Sequence, residues 1–243
     1  MWINMLVAGW RFSLSDVKNH PALVIWFCGC NLLCPFCHNW RISSLDPNIC
    51  FDISIPRMIQ EIEKAKRFVE YVQVTGGEPL LQIREIVPLL NEVKKMGLKT
   101  SLNSNLTLSK ELELVVDLVD HVATDLKVPS YMYGISNWDA MFERFLDSLH
   151  ILVEKGKEIE LRVLVTRIPI DEYIKVIKSI GDIIKGYRNI HIVFRRIYGK
   201  PLVEPRIDDW CTAFCVRDEE EYRRKEEELR SLIQQYIYLV KTR

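Results

Sequence analysis

Three cysteines stand close together near the start of the chain. Cys30, Cys34 and Cys37 make a C-x3-C-x2-C spacing. Three thiolates on one short loop can each take one iron of a cubane. Complete protein ligation of a [4Fe–4S] cluster takes four, so three leave one iron open to a small-molecule ligand. The same residues admit plainer readings. With His38 or Cys28 they make a four-ligand zinc set. Cys34-Pro35-Phe36-Cys37 alone is a C-x-x-C dithiol, which leaves Cys30 without a job in a chain long for such a module. Three buried structural thiols are the blandest alternative. Cys28 and Cys50 have no partner spacing and read as core or loop thiols. Cys211 and Cys215 form a C-x3-C near the end of the chain. Two ligands do not hold a cluster, so a helix face or a disulfide is the simpler reading there, ahead of an auxiliary site completed by another chain.

Other polar residues stand at the ends of apolar runs. Thr75-Gly76-Gly77-Glu78-Pro79 follows one such run, and Gly-Gly after a strand is ordinarily a turn. Asn103-Ser104-Asn105 reads as a polar strand end with a cap for the next helix. Alternation puts Asp125 and Lys127 on one face of a strand, where an exposed salt bridge is the plain reading. Arg162 interrupts an apolar strand, which is costly unless it is paired, and a carboxylate is a good partner for it. His191 reads as a satisfied strand histidine. No convincing acid/base pair stands out.

The elements that must position these residues follow from hydrophobic periodicity. Short apolar, β-branched runs fall at 22–27, 71–74, 98–102, 121–126, 159–165 and 190–194. Helix-period segments lie at 56–67, 83–96, 109–119, 138–154 and 171–184. Asn137 and Asp171 read as N-caps and Gly97 as a C-cap. Continuous apolar strands separated by helices predict an α/β fold with a parallel sheet buried on both faces. Six strand–helix units are too few to close an eight-fold barrel. An open partial barrel or a doubly wound sheet is expected, with ligands at the C-terminal ends of the strands. A charged segment, 218–230, and an apolar end, 232–240, predict a C-terminal helical extension packed on the body. The expected division is a core domain at 1–200 and that extension at 201–243.

Composition bounds the function. The 243 residues are 48% hydrophobic and 27% charged, which excludes a mainly disordered chain. Lys+Arg and Asp+Glu are both 33, so the net charge of zero advertises no nucleic-acid partner. Apolar stretches are broken well before a membrane span's length. The first ten residues lack a basic leader and a small-residue cleavage site. The expected location is therefore the reducing cytoplasm, where seven cysteines read as metal ligands or catalytic groups rather than a disulfide frame.

The cysteine segment, with Phe36 just before the third cysteine, resembles the signature of the radical S-adenosylmethionine (SAM) superfamily. The continuation into His38-Asn39 resembles its glycyl-radical-enzyme activase branch, which includes the activases of pyruvate formate-lyase and anaerobic ribonucleotide reductase. The resemblance runs over roughly residues 6–196. It implies a partial (βα)6 radical SAM barrel and a [4Fe–4S] cluster on Cys30, Cys34 and Cys37, which lifts the iron–sulfur reading above zinc. Gly76-Gly77-Glu78-Pro79 resembles the family's GGEP element, whose backbone receives the amino group of SAM. Asp125-Leu126-Lys127 matches the family's Asp-x-Lys facing the methionine part. Arg162 resembles the Arg that approaches the SAM carboxylate. Asn103-Ser104-Asn105-Leu106 is similar to Asp-Thr-Asn-Gly, with Asn103 for Asp and Leu106 for Gly. Phe36 and His191 complete the cofactor-side candidates, His191 toward the adenine. Ser13-Leu14-Ser15-Asp16 is similar to the activases' Ser-x-x-Asp, without the Pro-Gly that follows it there.

The implied chemistry is reductive cleavage of SAM by the cluster, giving methionine and a 5′-deoxyadenosyl radical, with the hard chemistry carried by the cofactor. In an activase that radical removes a hydrogen atom from a backbone glycine of a partner glycyl radical enzyme, such as anaerobic ribonucleotide reductase or pyruvate formate-lyase. A flavodoxin- or ferredoxin-like donor supplies the electron. No side-chain acid or base is required. The runner-up keeps the chemistry and changes the substrate to a small molecule or another peptide. A rival of another class, a zinc or electron-transfer module, leaves Gly76, Gly77, Asp125, Lys127 and Arg162 without a joint job.

Overall fold

The computed structural model describes residues 4–237. The elements run β1 (Asn4–Val17), β2 (His20–Phe27), α1 (Trp40–Ser43), β3 (Phe51–Ser54), α2 (Ile55–Ala65), β4 (Tyr71–Gly76), α3 (Ile83–Lys95), β5 (Lys99–Asn103), α4 (Ser109–Val115), β6 (His121–Leu126), α5 (Pro129–Met132), α6 (Trp138–Glu154), β7 (Glu158–Val165), α7 (Ile170–Ile184), β8 (Ile190–Arg196), α8 (Asp208–Phe214) and α9 (Glu219–Tyr236). The strand order in the sheet is β3-β1-β2-β4-β5-β6-β7-β8. The fold class is α/β, as expected. All six predicted strands form, to within a residue or two at most ends.

The chain divides into two compact units. One comprises the chain up to Asn31 with Asn39–Ala123, the other Leu32–His38 with the chain from Thr124 on. In the first, β2, β4, β5 and the start of β6 pair in parallel. Leu23, Val24, Ile25, Val72 and Val74 are buried, the pattern of strands covered on both faces. α2 covers them with Met58, Ile62 and Ala65, and α3 with Ile86, Leu89, Leu90 and Val93. Both stripes have the 3.6-residue period. Gly97, at φ 78°, ends the α3 segment as predicted.

Two strands go beyond the prediction. β1 pairs antiparallel with both β2 and β3. Its Arg11, Phe12, Leu14 and Ser15 are exposed, so its second half breaks the buried apolar pattern and the strand escapes a search for buried strands. Ser13 to Asp16 falls inside β1, where the Ser13 hydroxyl donates to the Asp16 carboxylate and accepts from the Asp16 N–H at 3.2 Å. Val17 pairs with His20 across a two-residue turn whose Asn19 has φ 62°, a conformation Asn tolerates.

In the second unit β7 and β8 pair in parallel. α6 buries Phe145, Leu149 and Leu152, and α7 buries Val176, Ile177, Ile180 and Ile184. Asn137 takes the N-cap position of α6, though with no side-chain capping bond. Asp171 is not a cap, since α7 starts one residue earlier and Pro169 precedes it. The tail forms α9 as predicted, with Leu229, Leu232 and Ile233 buried. It also forms α8, which periodicity over seven residues does not reveal. Residues 238–240 of the apolar end lie outside the described residues. Among the described residues no helix is long and apolar enough to cross a membrane.

Candidate cofactor site

The cysteines divide by state. Cys30, Cys34 and Cys37 are in no disulfide, whereas Cys28 is disulfide-bonded to Cys50 and Cys211 to Cys215. The reading of Cys28 and Cys50 as unpartnered thiols is therefore corrected. Gly29 N–H donates to Ile42 O at 3.0 Å and Cys50 N–H to Asp46 O at 2.8 Å, folding the intervening segment back so that the two Cα atoms lie 6.2 Å apart, within disulfide reach. The expectation against a disulfide frame is corrected for four of the seven cysteines. Of the two readings left open for Cys211 and Cys215, the disulfide is the one observed, at the end of α8. Cys28 is thereby withdrawn from the zinc alternative.

In the first unit, the GGEP segment is fastened to the start of the cysteine segment by main chain. Gly77 N–H donates to Phe27 O at 2.9 Å and Glu78 N–H to Gly29 O at 2.7 Å. A Cβ on Gly77 would sit 1.9 Å from Gly29 O, and one on Gly76 2.2 Å from Phe27 O. These glycines are thus demanded by backbone lying on backbone. Gln82, absent from the sequence reading, reinforces the joint by donating to Leu6 O at 2.9 Å and Cys28 O at 3.0 Å.

Glu78 is fully buried. It accepts from Leu80 N–H at 3.1 Å, Ser104 Oγ at 2.8 Å and Asn105 N–H at 2.7 Å. One carboxylate thereby ties the loop after β4 to the loop after β5. Asn103 donates to Thr75 Oγ1 at 3.0 Å. Asn105, not singled out in the sequence for its own contacts, donates to Asn31 Oδ1 at 2.9 Å and points its amide at Cys30 Sγ, 3.8 Å away. Leu106 has φ 57° and is fully buried. This is the position at which the resembling motif has Gly, and the left-handed backbone accounts for it.

In the second unit the charged candidates form one network. Lys127 Nζ donates to Asp125 Oδ2 at 3.2 Å. Arg162 Nε donates to Glu160 Oε1 at 2.6 Å, and its Nη1 lies 3.9 Å from Asp125 Oδ1. Lys127 and Glu160 are buried. Burial pushes the Asp125 carboxyl up, but Lys127, then Arg162, then His38 outweigh it and hold the group below its ordinary value. Two cations and two anions close the network at zero charge. Glu160 was missed in the sequence, although its spacing two before Arg162 on a strand puts both on one face. His191 stands half-exposed on β8, paired in register with Glu160 of β7, its Nε2 3.8 Å from Glu158 Oε1.

Cys34 and Phe36 are each 9% exposed. Burial first, and the Cys34 thiolate beside it second, raise the Tyr133 phenol well above its ordinary value. Among the described residues no three His, Cys, Asp or Glu side chains converge to hold a single metal ion. A cubane does not ask for that, because each thiolate takes a different iron. Three thiols outside any disulfide, one of them faced by an amide N–H, are the donor types that such a cluster takes.

Comparison with known proteins joins these observations. Residues 24–179 match the family model of the Radical SAM superfamily. An uncharacterized protein of Methanocaldococcus jannaschii, MJ0674, is 30% identical over 156 residues, covering 60% of this chain and 44% of that protein. A second protein of that organism, MJ1227, provisionally named a glycyl-radical enzyme activating enzyme, is 26% identical over 117 residues, 47% of each. The 7-carboxy-7-deazaguanine synthase of Thermococcus kodakarensis is 24% identical over 161 residues, 59% of this chain and 63% of that one. The chain thus spans about half the length of the first two relatives. Among solved structures, Streptococcus suis SuiB bound to its precursor peptide SuiA has a TM-score of 0.64 at 16% identity, over 90% of this chain and 47% of SuiB. SuiB bound to S-adenosylmethionine scores 0.61 at 15% identity, over 90% and 51%. Escherichia coli QueE scores 0.56 at 14% identity, over 94% and 90%. The family model covers more than half of the chain, and the protein belongs to the radical SAM superfamily, whose enzymes use a [4Fe–4S] cluster and S-adenosylmethionine.

Proposed function

We propose that this radical SAM enzyme is an activase, which takes a hydrogen atom from a backbone glycine of a partner glycyl radical enzyme. Cys30, Cys34 and Cys37 would hold the cluster. Gly76, Gly77, Glu78, Asn103, Ser104, Asp125, Lys127 and Arg162 would bind or orient SAM, with Phe36 and His191 on the adenosine side. When bound and reduced by a flavodoxin- or ferredoxin-like donor, the cluster supplies the electron that cleaves the S–C5′ bond of SAM. The remaining work falls to the chain. Glu78 fixes two loops through three accepted bonds, so carbonyls of the Gly76-Gly77 segment stay oriented for an ammonium group. Arg162, held through Nε by Glu160, would turn its guanidinium toward a carboxylate.

One observation carries the choice of reaction. Asp125, Lys127, Glu160 and Arg162 are bonded to one another and close at zero charge. Each of these groups has an opposite charge beside it, which suits a reaction that asks no proton transfer of them. Removal of a hydrogen atom from a Cα–H moves no proton to the protein, so it needs none. The similarity to MJ1227 supports the same reading. A second reading, synthesis of a 7-deazaguanine from a small molecule, is favoured by the similarity to the T. kodakarensis synthase.

The two are separated by one pair of experiments. The reconstituted, reduced enzyme is mixed anaerobically with SAM and a glycyl radical enzyme from the same source. The activase reading expects a glycyl radical doublet in the electron paramagnetic resonance spectrum. The second reading expects no such signal, and expects the gene to rescue a strain lacking its 7-carboxy-7-deazaguanine synthase.

A further inference from the structure

The second unit holds a contact that the family match does not include. The matched residues end at 179, whereas α8 begins at Asp208. Yet α8 is fastened to the cysteine segment. Ile207 N–H, at the residue preceding α8, donates to Pro35 O at 2.9 Å. The ring of Trp210 lies 5.3 Å from the ring of Phe36, tilted by 40°. Trp210 Nε1 donates to Tyr131 O at 3.0 Å, and Phe214 packs against both Trp210 and Tyr131, at 5.4 Å and 5.5 Å.

The other side of the cysteine segment is equally constrained. Leu33 N–H donates to Tyr133 O at 3.0 Å. Gly134, at φ 70°, lies so close that a Cβ would be 2.1 Å from Leu33 O. The far end of α8 is anchored as well. Arg167 N–H donates to Phe214 O at 2.8 Å, and Arg167 Nε to Cys215 O at 2.9 Å. The Cys211–Cys215 disulfide closes the same turn. A helix tied at both ends presents a fixed indole to Phe36, the neighbour of Cys37.

We propose that Trp210 is a positioning residue that acts through Phe36 to hold the Cys34–Cys37 segment in its cluster-binding conformation. The inference rests on the reading of those cysteines as cluster ligands. Phe36 has a large ring with few alternatives once Trp210 covers it, and its backbone leads directly into Cys37. Loss of the indole frees the Phe36 ring, and with it the segment between two ligands. The C-terminal segment then belongs to the cofactor-binding apparatus of this chain rather than to its surface.

The test uses the full chain, reconstituted anaerobically with iron and sulfide, and follows release of iron to a ferrous chelator. Trp210→Leu keeps apolar volume without the ring. Trp210→Phe keeps a ring over Phe36 but loses the N–H donor to Tyr131. Iron release from Trp210→Leu should be about 2- to 10-fold faster than wild type, the range an aromatic pair contributes. Trp210→Phe should restore most of the difference. Phe36→Leu should accelerate release in wild type but add little to Trp210→Leu, because the two act as one unit. The spectrum of the reduced cluster should broaden with Trp210→Leu while the melting temperature of the apoprotein is matched by a control, Phe214→Leu, that leaves Phe36 covered. Equal release from wild type and Trp210→Leu overturns the proposal. So does full additivity with Phe36→Leu, or a Trp210→Phe variant as labile as Trp210→Leu, which would assign the effect to the Tyr131 bond. A wild-type protein that takes up iron and sulfide but cleaves no SAM would overturn the proposed function and leave this inference standing.

Discussion

The candidate residues of the two units are held in place by different means. The first uses main chain: Gly76 and Gly77 lie where no Cβ fits, and Glu78 accepts from Leu80, Ser104 and Asn105 and so orients two loops. The second uses charge: Asp125, Lys127, Glu160 and Arg162 balance one another. Backbone contacts fix shape and are insensitive to salt or pH. A network of charges can exchange partners with an incoming ammonium or carboxylate and responds to both.

The largest effect that sharpens this contrast comes from breaking the charge network unevenly. Glu160→Leu leaves Arg162 without its 2.6 Å partner and should cost about 3–5 kcal/mol of unfolding free energy, as for a buried pair that loses one member. The double variant with Arg162→Leu should recover much of that loss. Urea denaturation of the three proteins reads the difference. In the first unit, Gly77→Ala should cost about 3 kcal/mol, the upper end of ordinary overpacking, because a Cβ 1.9 Å from Gly29 O forces backbone apart. The same denaturation should show no recovery from any charge substitution.

Glu78→Gln should cost about 2 kcal/mol by turning an amide group toward donors that need an acceptor. Its loss should be the same in low and high salt, whereas that of Arg162→Leu should shrink at high salt. The smallest effect is a pH dependence. Asp125 has a folded-state pKa held below its ordinary value. Its contribution is full above the unfolded pKa of about 3.9 and is lost as pH falls through the lower folded value. Denaturation of wild type below about pH 4 should therefore steepen relative to Asp125→Asn.

The same contrast explains what the sequence disclosed. The strands β2, β4, β5, β6, β7 and β8 were legible because short apolar, β-branched runs between helix-period segments mark buried strands. β1 was not, because Arg11, Phe12, Leu14 and Ser15 are exposed along its second half, and β3 is only four residues long. The cysteine spacing and Gly76-Gly77 were legible as motifs, but the reason for the glycines was not. It lies in Phe27 and Gly29, some fifty residues away in the chain. Glu160 was readable from its spacing to Arg162. The Cys28–Cys50 pair and the contact of Trp210 with Phe36 depend on chain reversals that no local pattern encodes. Leu106 is the opposite case: a departure from a familiar motif whose meaning, a left-handed backbone, needed the φ angle.

The central claim is that Cys30, Cys34 and Cys37 carry a cluster that makes this chain a radical SAM enzyme. It is tested most directly by anaerobic reconstitution with iron and sulfide, reduction with dithionite, addition of SAM and quantification of 5′-deoxyadenosine, with Cys34→Ala alongside. The account predicts product from wild type and none from the variant. A wild-type protein that fills with zinc, takes up no cluster and makes no 5′-deoxyadenosine would contradict it.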